Sequence, residues 1–564
     1  MNSTKTTGAH AVMKSLVAEN VDTIFGYPGG AIMPIYDALY DYEDMVTHIL
    51  VRHEQGAIHA AQGYARTSGK TGVVFATSGP GATNLITGLA DAMIDSTPLV
   101  CITGQVASHL LGTDAFQETD VMGISMPITK WNCQVTKAEE IPAAIAKAFY
   151  IAGSGRPGPV LIDITKDAQF GETDFTYEKC TSIRSYRPKP KLDHAKVQEA
   201  ADLINQAKKP YLLIGQGIML SNAEKELLKF VEKSGIPTAS TLLGLGAFPN
   251  HHPLYAGYLG MHGDYAPNIK TNECDILIAV GMRFDDRVTG DVSRYAKQAK
   301  VIHIDIDAAE LNKIIKADVP VHADAKEALK LLTELVQERK HDAWMQEFME
   351  AKKVEVQTLQ ESASELHSEE LKMDEVVRML SDLTKGEAVV VTDVGQHQMM
   401  AARYYQYNKT KSNVTSGGLG TMGFALPAAI GAKFGAPEKP VVAIIGDGGF
   451  QMTLQELGTI LQSKVDVKII ILNNRFLGMV RQWQQMFFKK RYSFTNMISP
   501  DFIALAKSYS IEGEKVEAGT DLKKALQTML NHQGAYLLEV MVAKEENVFP
   551  MVATGASVSE IRLK

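Results

Sequence analysis

The stretch from Val441 to Asn474 constrains the fold more than any other. The apolar run Val441-Val442-Ala443-Ile444-Ile445 reads as a buried parallel strand. It ends in Gly446-Asp447-Gly448-Gly449, and Phe450 to Gln462 then has its apolar residues at helical spacing. A second strand, Val467 to Leu472, runs into Asn473-Asn474. A strand–helix–strand unit of this length makes a right-handed crossover, so both strands point the same way. Asp447 and Asn474 then emerge side by side at the carboxyl edge of the sheet, where open α/β sheets bind ligands. An aspartate and an amide oxygen facing a helix N-terminus can hold a hard cation such as Mg²⁺ against a diphosphate. A capped glycine turn would explain Gly-Asp-Gly alone; the asparagine pair at the end of the next strand favours the ligand.

At 564 residues the chain has room for roughly three or four domains of ~150 residues. A net charge of -8 argues against nucleic acid as a partner. Cys101, Cys133, Cys180 and Cys274 form no CxxC pair, which suggests neither a zinc site nor a disulfide framework. Met1 to Lys14 lacks the features of a signal or transit peptide, and uncharged Ser412 to Ala432 is broken by glycines and Pro427. A cytoplasmic protein with no membrane partner is expected.

The first third alternates strand and helix signals. Val21 to Phe25 leads into Gly26-Tyr27-Pro28-Gly29-Gly30, where close-set glycines let backbone approach a ligand. Val46 to Val51 precedes Arg52-His53-Glu54-Gln55-Gly56 and a small-residue helix, Ala57 to Ala65. Gly72 to Ala76 runs into Thr77-Ser78-Gly79-Pro80-Gly81, Leu99 to Thr103 follows, and Val160 to Ile164 closes the domain. Ser182 to His194 reads as a linker. The middle third has strands at Tyr211 to Ile214, Ile276 to Val280 and Val301 to Ile306. Arg339 to Glu375 is charged and nearly free of glycine and proline, and predicts a solvated helix and connector. The expected fold is α/β, with three doubly wound parallel-sheet domains over 1–185, 190–340 and 370–564. The outer two have the matching size and character of a duplicated pair.

Gly446-Asp447-Gly448 with Asn473-Asn474 resembles the metal–diphosphate motif of thiamine diphosphate enzymes. That cofactor works by losing the proton from its thiazolium C2. Its own aminopyrimidine takes the proton when a carboxylate hydrogen-bonds the ring nitrogen, and a glutamate desolvated in an apolar pocket suits that task. Glu54 is the candidate; an ordinary helix N-terminal glutamate is the plainer alternative. Together with Gly112 to Glu118, Arg283-Phe284-Asp285-Asp286-Arg287, Gly420 to Phe424 and Leu477 to Trp483, these motifs resemble the catalytic subunit of the acetohydroxyacid synthase (acetolactate synthase) family over nearly the whole chain.

The resemblance implies a set of roles. Glu54 would activate the cofactor across a dimer interface, with Asp447, Asn474 and the Phe476 carbonyl holding Mg²⁺. Pro28, Val394, Gly395, Gln396, His397, Gly420, Met422, Gly446, Gly448, Gly449 and Met479 would contact thiamine diphosphate, with Met422 wedged between its rings. In the middle domain, Gly215-Gln216-Gly217 and Asp305 would suit a dinucleotide, but Leu220 stands where GxGxxG has its third glycine. The family instead implies FAD, in a role without electron transfer. Its contacts would be Arg156, Gly215, Gly217, Thr241, Leu259, Gly260, Met261, His262, Gly263, Gly281, Arg283, Asp305 and Ile306. Arg287 would pair the acceptor carboxylate and Trp483 would line the acceptor pocket, while Phe116 would pack beside Gln117 and Lys130. Gly30 would offer its N–H to an oxyanion, with Gln117 and Lys130 near the active centre.

The implied reaction decarboxylates pyruvate and joins the two-carbon unit to pyruvate or 2-ketobutyrate, on the way to the branched-chain amino acids. A homodimer or homotetramer and a small regulatory subunit are implied as well. Ala107, Asp120 and Thr554 depart from the residues usual for the family's access channel. The alternatives are a catabolic acetolactate synthase, or a pyruvate oxidase or decarboxylase, of the same family. A non-catalytic homologue would be expected to have lost Glu54 or Asp447.

Overall fold

A computed structural model describes residues 5–365 and 370–564. Three six-stranded sheets lie along the chain, and every strand pair within them is parallel. The first has the spatial order Thr47–Leu50, Thr23–Gly26, Gly72–Ala76, Leu99–Gln105, Pro159–Thr165, Trp131–Val135. The third has Asn413–Thr415, Val389–Thr392, Val441–Gly446, Lys468–Asn473, Tyr536–Met541, Glu512–Val516. Numbered within each sheet, both read 2-1-3-4-6-5. The middle sheet reads 3-2-1-4-5-6, the doubly wound dinucleotide order. Its switch point lies between Pro210–Ile214 and Ile276–Val280.

The central strands are near-continuous apolar runs buried on both faces, as helices on either side require. Two elements differ from expectation. The helix after Val441–Gly446 begins at Asp447, because Gly446 takes an extended N-cap conformation and the chain turns directly out of the strand. It then breaks into a 3₁₀ turn, Leu454–Glu456, before resuming at Leu457–Ser463. The Asp342–Glu365 helix is not solvated all round: Trp344, Phe348, Ala351 and Glu355 form a buried stripe at helical spacing. The Trp344 indole N–H donates to the Pro210 carbonyl at 2.9 Å, fastening this stripe to the middle sheet. A short antiparallel ribbon, Lys5–Thr7 with Glu172–Asp174, stands apart from the main sheets.

The first and third sheets are joined by two helices, Glu54–Ser68 and Ala425–Gly435, whose facing residues are glycine and alanine. A Cβ on Gly63 would lie 1.9 Å from the Ala428 carbonyl oxygen, and one on Gly431 would lie 1.7 Å from that of Ala60. Backbones this close admit no side chain at either position. Gly431→Ala is expected to destabilise the chain by about 3 kcal/mol through overpacking. Thermal unfolding measures it against Gly153→Ala, whose new methyl would have its nearest neighbour 3.6 Å away. Equal midpoints for the two variants would refute the close-packing account.

Candidate active site

Strands Val441–Gly446 and Lys468–Asn473 pair with Gly446 opposite Leu472, which brings Asp447 and Asn474 together at the carboxyl edge. Asp447 is buried, and the Ser499 hydroxyl donates to it at 3.3 Å. Burial pushes its carboxyl up to about 7. The Asn474 amide oxygen accepts the Phe476 N–H at 3.1 Å, and its NH₂ donates to Gln396 at 3.1 Å. This turn presents the amide oxygen and the Phe476 backbone beside the carboxylate, an all-oxygen donor set suited to a hard cation.

The neighbouring turns leave space for an anion. Among the described residues, the buried His397 Nε2 has no hydrogen-bond partner. Its ring lies against Gly446 and Gly395, where added Cβ atoms would fall 2.9 and 2.8 Å from it. Burial drives the imidazole down to about 3, so it is neutral with a single N–H; the tautomer that carries it on Nε2, giving up the bond to the Asp393 backbone, would donate to a diphosphate oxygen. Gly449 has no room for a side chain against Asp393. Asp393 accepts the N–H groups of Val394, Gly423 and Ala425, locking the Val394–His397 turn to the turn carrying Met422. Met422 lies over Gly448, its methyl 3.9 Å from where a Cβ would stand.

The second half of the constellation sits on the first sheet. Glu54 opens its helix, is buried, and accepts the Asn84 amide N–H at 2.9 Å. The Gly81 turn packs against it, and Thr77 accepts the Ala31 N–H at 3.2 Å. Gly79 has φ +56 and lies under the Gln117 backbone. Glu54, Gln117 and the Pro28–Gly30 loop therefore share one carboxyl edge. Pro28 and Gly30 are exposed, as is Phe116 at 87%.

These two halves do not meet within the chain. The Glu456 side chain fills the space beside Gly56 and accepts the Arg52 N–H, at the far end of the helical segment that Asp447 begins. About 14 Å of helix separates Asp447 from Glu456.

Lys130 does not join the others. It precedes the Trp131–Val135 strand and so lies at the amino edge, where its ammonium donates to the Ile151 and Ser154 carbonyls. Lys166, which directly follows Pro159–Thr165, is exposed at the carboxyl edge instead. Sequence reasoning missed it, though its place after a strand was readable. Asp393, Ser499 and Asn84 were also missed; only Asp393, ending an apolar strand as Asp447 does, carried a sequence signal.

The switch point of the middle sheet opens into a cavity of about 890 Å³. Of the residues expected at FAD, all but Gly263 line it; Gly263 lies behind, against the Leu259–Gly260 backbone. Gly217 and Gly281 cross so closely that a Cβ on Gly217 would fall 2.5 Å from the Gly281 Cα, and the Gly217 N–H donates to the Gly281 carbonyl. Asp305 ends its strand at the cavity wall, and burial raises it to about 6. Arg156 reaches in from the first domain, held by Glu310 at 2.8 Å and Asp307 at 3.2 Å. This glycine crossing, with an acidic strand end and a fixed cation, fits a dinucleotide.

Val394, Gly395, Gly420, Met422, Met479 and Trp483 of the third domain form part of the same lining. Met479 and Trp483 are one helical turn apart on Gly478–Phe487. Arg287 is largely exposed, 3.7 Å from Asp286 and 3.4 Å from the Met261 sulfur, while Arg283 takes Asp285. Of the three departures, Thr554 lines the cavity and Asp120 caps the Val121–Ser125 helix by accepting the Gly123 N–H.

A cation held at Asp447 would compete with its proton. Its carboxyl lies above the ordinary 3.8, so between about pH 4 and 7 the folded metal-free chain binds more protons than the unfolded one. That contribution to stability falls as pH rises through this window. Mg²⁺ binding must displace the proton, so affinity in the presence of thiamine diphosphate is expected to weaken by about tenfold per pH unit below about pH 7. Calorimetric titration from about pH 8 to about pH 6 measures it, and a flat profile would exclude Asp447 as a ligand.

Three family descriptions match the chain. They are thiamine pyrophosphate (thiamine diphosphate) enzyme N-terminal TPP binding domain over residues 6–124, central domain over 197–332, and C-terminal TPP binding domain over 393–540. The acetolactate synthase isozyme 2 large subunit of Escherichia coli is 48% identical, over 98% of this chain and 99% of that protein. The acetolactate synthase large subunit of Corynebacterium glutamicum is 46% identical, over 99% and 90%. A probable acetolactate synthase large subunit of Methanocaldococcus jannaschii is 45% identical, over 98% and 95%.

Proposed function

The chain belongs to the acetolactate synthase large-subunit family of thiamine diphosphate enzymes, and on that premise we propose a biosynthetic carboligase acting on pyruvate and 2-ketobutyrate. The products would be 2-acetolactate and 2-aceto-2-hydroxybutyrate. The observation that carries this reading is the pair of half-sites: a buried carboxylate clamped by Asn84 on one sheet edge, and Asp447 with Asn474 on the matching edge of a sheet with the same strand order.

Thiamine diphosphate, when bound, supplies the electron sink that lets a 2-keto acid lose CO₂. Asp447, Asn474 and the Phe476 carbonyl would hold Mg²⁺. Gly446, Gly448, Gly449, Val394, Gly395, Gln396 and the His397 nitrogen would hold the diphosphate. Met422, Gly420 and Met479 would orient the rings. Glu54, with Pro28 beside it, would hold a proton at the pyrimidine nitrogen, and Gly30 and Gln117 would face the reacting carbonyl. For the substrate carboxylates the geometry favours Arg287 and Lys166 over Lys130. Trp483 and Phe116 would enclose the acceptor.

FAD would occupy the middle-domain cavity. Decarboxylation followed by carbon–carbon bond formation is redox-neutral, so this flavin would shape the site without exchanging electrons. A half-site cannot turn over alone, and in one chain the residue set beside the Glu54 helix is Glu456, about 14 Å of helix away from Asp447. A second copy would therefore complete each site, in a homodimer or homotetramer. Phe116, Met33 and Met126 of the first domain, and Phe494 and Ile498 of the third, are exposed apolar groups that a second copy would cover. A small regulatory subunit would complete the enzyme. Among the described residues no helix is long and apolar enough to cross a membrane. The four unpaired cysteines suit a reducing cytoplasm.

Purified protein with thiamine diphosphate, Mg²⁺, FAD and both keto acids is expected to form acetohydroxy acids only when FAD is present. Acetaldehyde or acetate as the product, identified by mass, would move the chain to a sister activity. Trp483→Leu is expected to lower the preference for 2-ketobutyrate over pyruvate by about tenfold, the scale of one methyl group in an apolar pocket. An unaltered product ratio would leave Trp483 as packing.

A further inference from the structure

The turn Ser416-Gly417-Gly418-Leu419-Gly420-Thr421-Met422 lies between the Asn413–Thr415 strand and the Ala425–Gly435 helix. Its glycines and Met422 line the cavity, yet glycines have the most backbone freedom to lose. The turn is held from the first domain. The fully buried Asp95 carboxylate accepts the Gly417 N–H at 2.8 Å and the Gly418 N–H at 2.7 Å, one on each oxygen. Arg66, itself buried, donates to Asp95 at 3.0 Å and to the Thr415 carbonyl at 2.6 Å. Asp91 accepts the Ser416 and Thr421 hydroxyls, and the Thr421 N–H donates to Ser416.

Two carboxylates and one guanidinium are thus buried together, an arrangement that apolar residues of similar volume would often match or better for stability alone. The Gly63–Ala428 and Gly431–Ala60 packing already joins the two domains. The ionic group acts instead on the one segment between them that carries Met422.

We propose that Asp95, Arg66 and Asp91 are positioning residues, a buried clasp by which the first domain sets the Ser416–Met422 turn and hence the place of Met422 against thiamine diphosphate. This rests on the cofactor reading above. Loosening the clasp lets Met422 swing, and the bound cofactor then loses the ring orientation that C2 proton loss requires.

The test uses the full chain with Mg²⁺ and FAD. Asp95→Asn places an NH₂ group against one of the two backbone N–H donors, and Ser416→Ala removes only a hydroxyl. C2 hydrogen–deuterium exchange, measured per bound thiamine diphosphate, is expected to slow by about 10- to 100-fold in Asp95→Asn, with a smaller slowing in Ser416→Ala. Binding affinity and thermal midpoint are recorded in parallel. A purely structural cross-link would lower the midpoint and leave exchange per bound cofactor at the wild-type rate; that result in both variants overturns the clasp. Should Asp95→Asn fail to fold, Ser416→Ala decides alone. A wild-type chain that binds no thiamine diphosphate overturns the proposed function itself, and the clasp's role with it.

Discussion

The backbone contact between the Glu54–Ser68 and Ala425–Gly435 helices fixes what the rest of the molecule can do. With Ala60 and Ala428 carbonyls resting where Gly431 and Gly63 lack side chains, the first and third sheets are held with little freedom to slide. Glu54 opens one of these helices, and Asp447 begins a helical segment whose 3₁₀ turn brings Glu456 beside it. The same packing that makes the chain rigid therefore keeps its two chemical halves apart. Two sheets of the same strand order carry the two half-sites, and the proposed pairing of copies would bring them together.

Parallel strands concentrate chemistry because they end together. Asp447, Asn474, Glu54 and Asp305 each end a strand, leave it at its carboxyl end or open the helix that follows. Lys130 shows the converse: it precedes its strand, so the chain direction carries it to the amino edge, where backbone carbonyls occupy its ammonium. That distinction was readable in the sequence, since Lys166 directly follows Pro159–Thr165 and Lys130 directly precedes Trp131–Val135.

Local patterns made the three parallel sheets and the glycine turns legible, because buried strands and tight turns depend on nearby residues. The stripe in Asp342–Glu365 was concealed by its charged neighbours, although Trp344, Phe348, Ala351 and Glu355 keep helical spacing. The pairings that set the site were beyond reach. Asp95 meets Gly417, Glu456 meets Arg52 and Arg403 meets Glu355 and the His262–Gly263 carbonyls, each between distant segments and each dependent on how the sheets pack. Sequence spacing carries no trace of such contacts until the tertiary arrangement is known.

Burial of acid groups gives the ligands a part in the fold as well as in the chemistry. Asp447, Asp305, Glu456 and Glu546 are all pushed up by desolvation, so the unliganded chain carries carboxyls whose ionisation opposes folding. A divalent cation at Asp447 would reverse that sign at one position by favouring the charged form. Ribose hydroxyls at Asp305 would do the same by donating to the carboxylate. Ligands that bind only the folded chain stabilise it by mass action, in proportion to the logarithm of their concentration over Kd. A flavin with no redox step to perform would still have work on this account: the cavity joins the middle sheet to the rim formed by Val394, Gly395 and Met422, and a ligand filling it would pack against both.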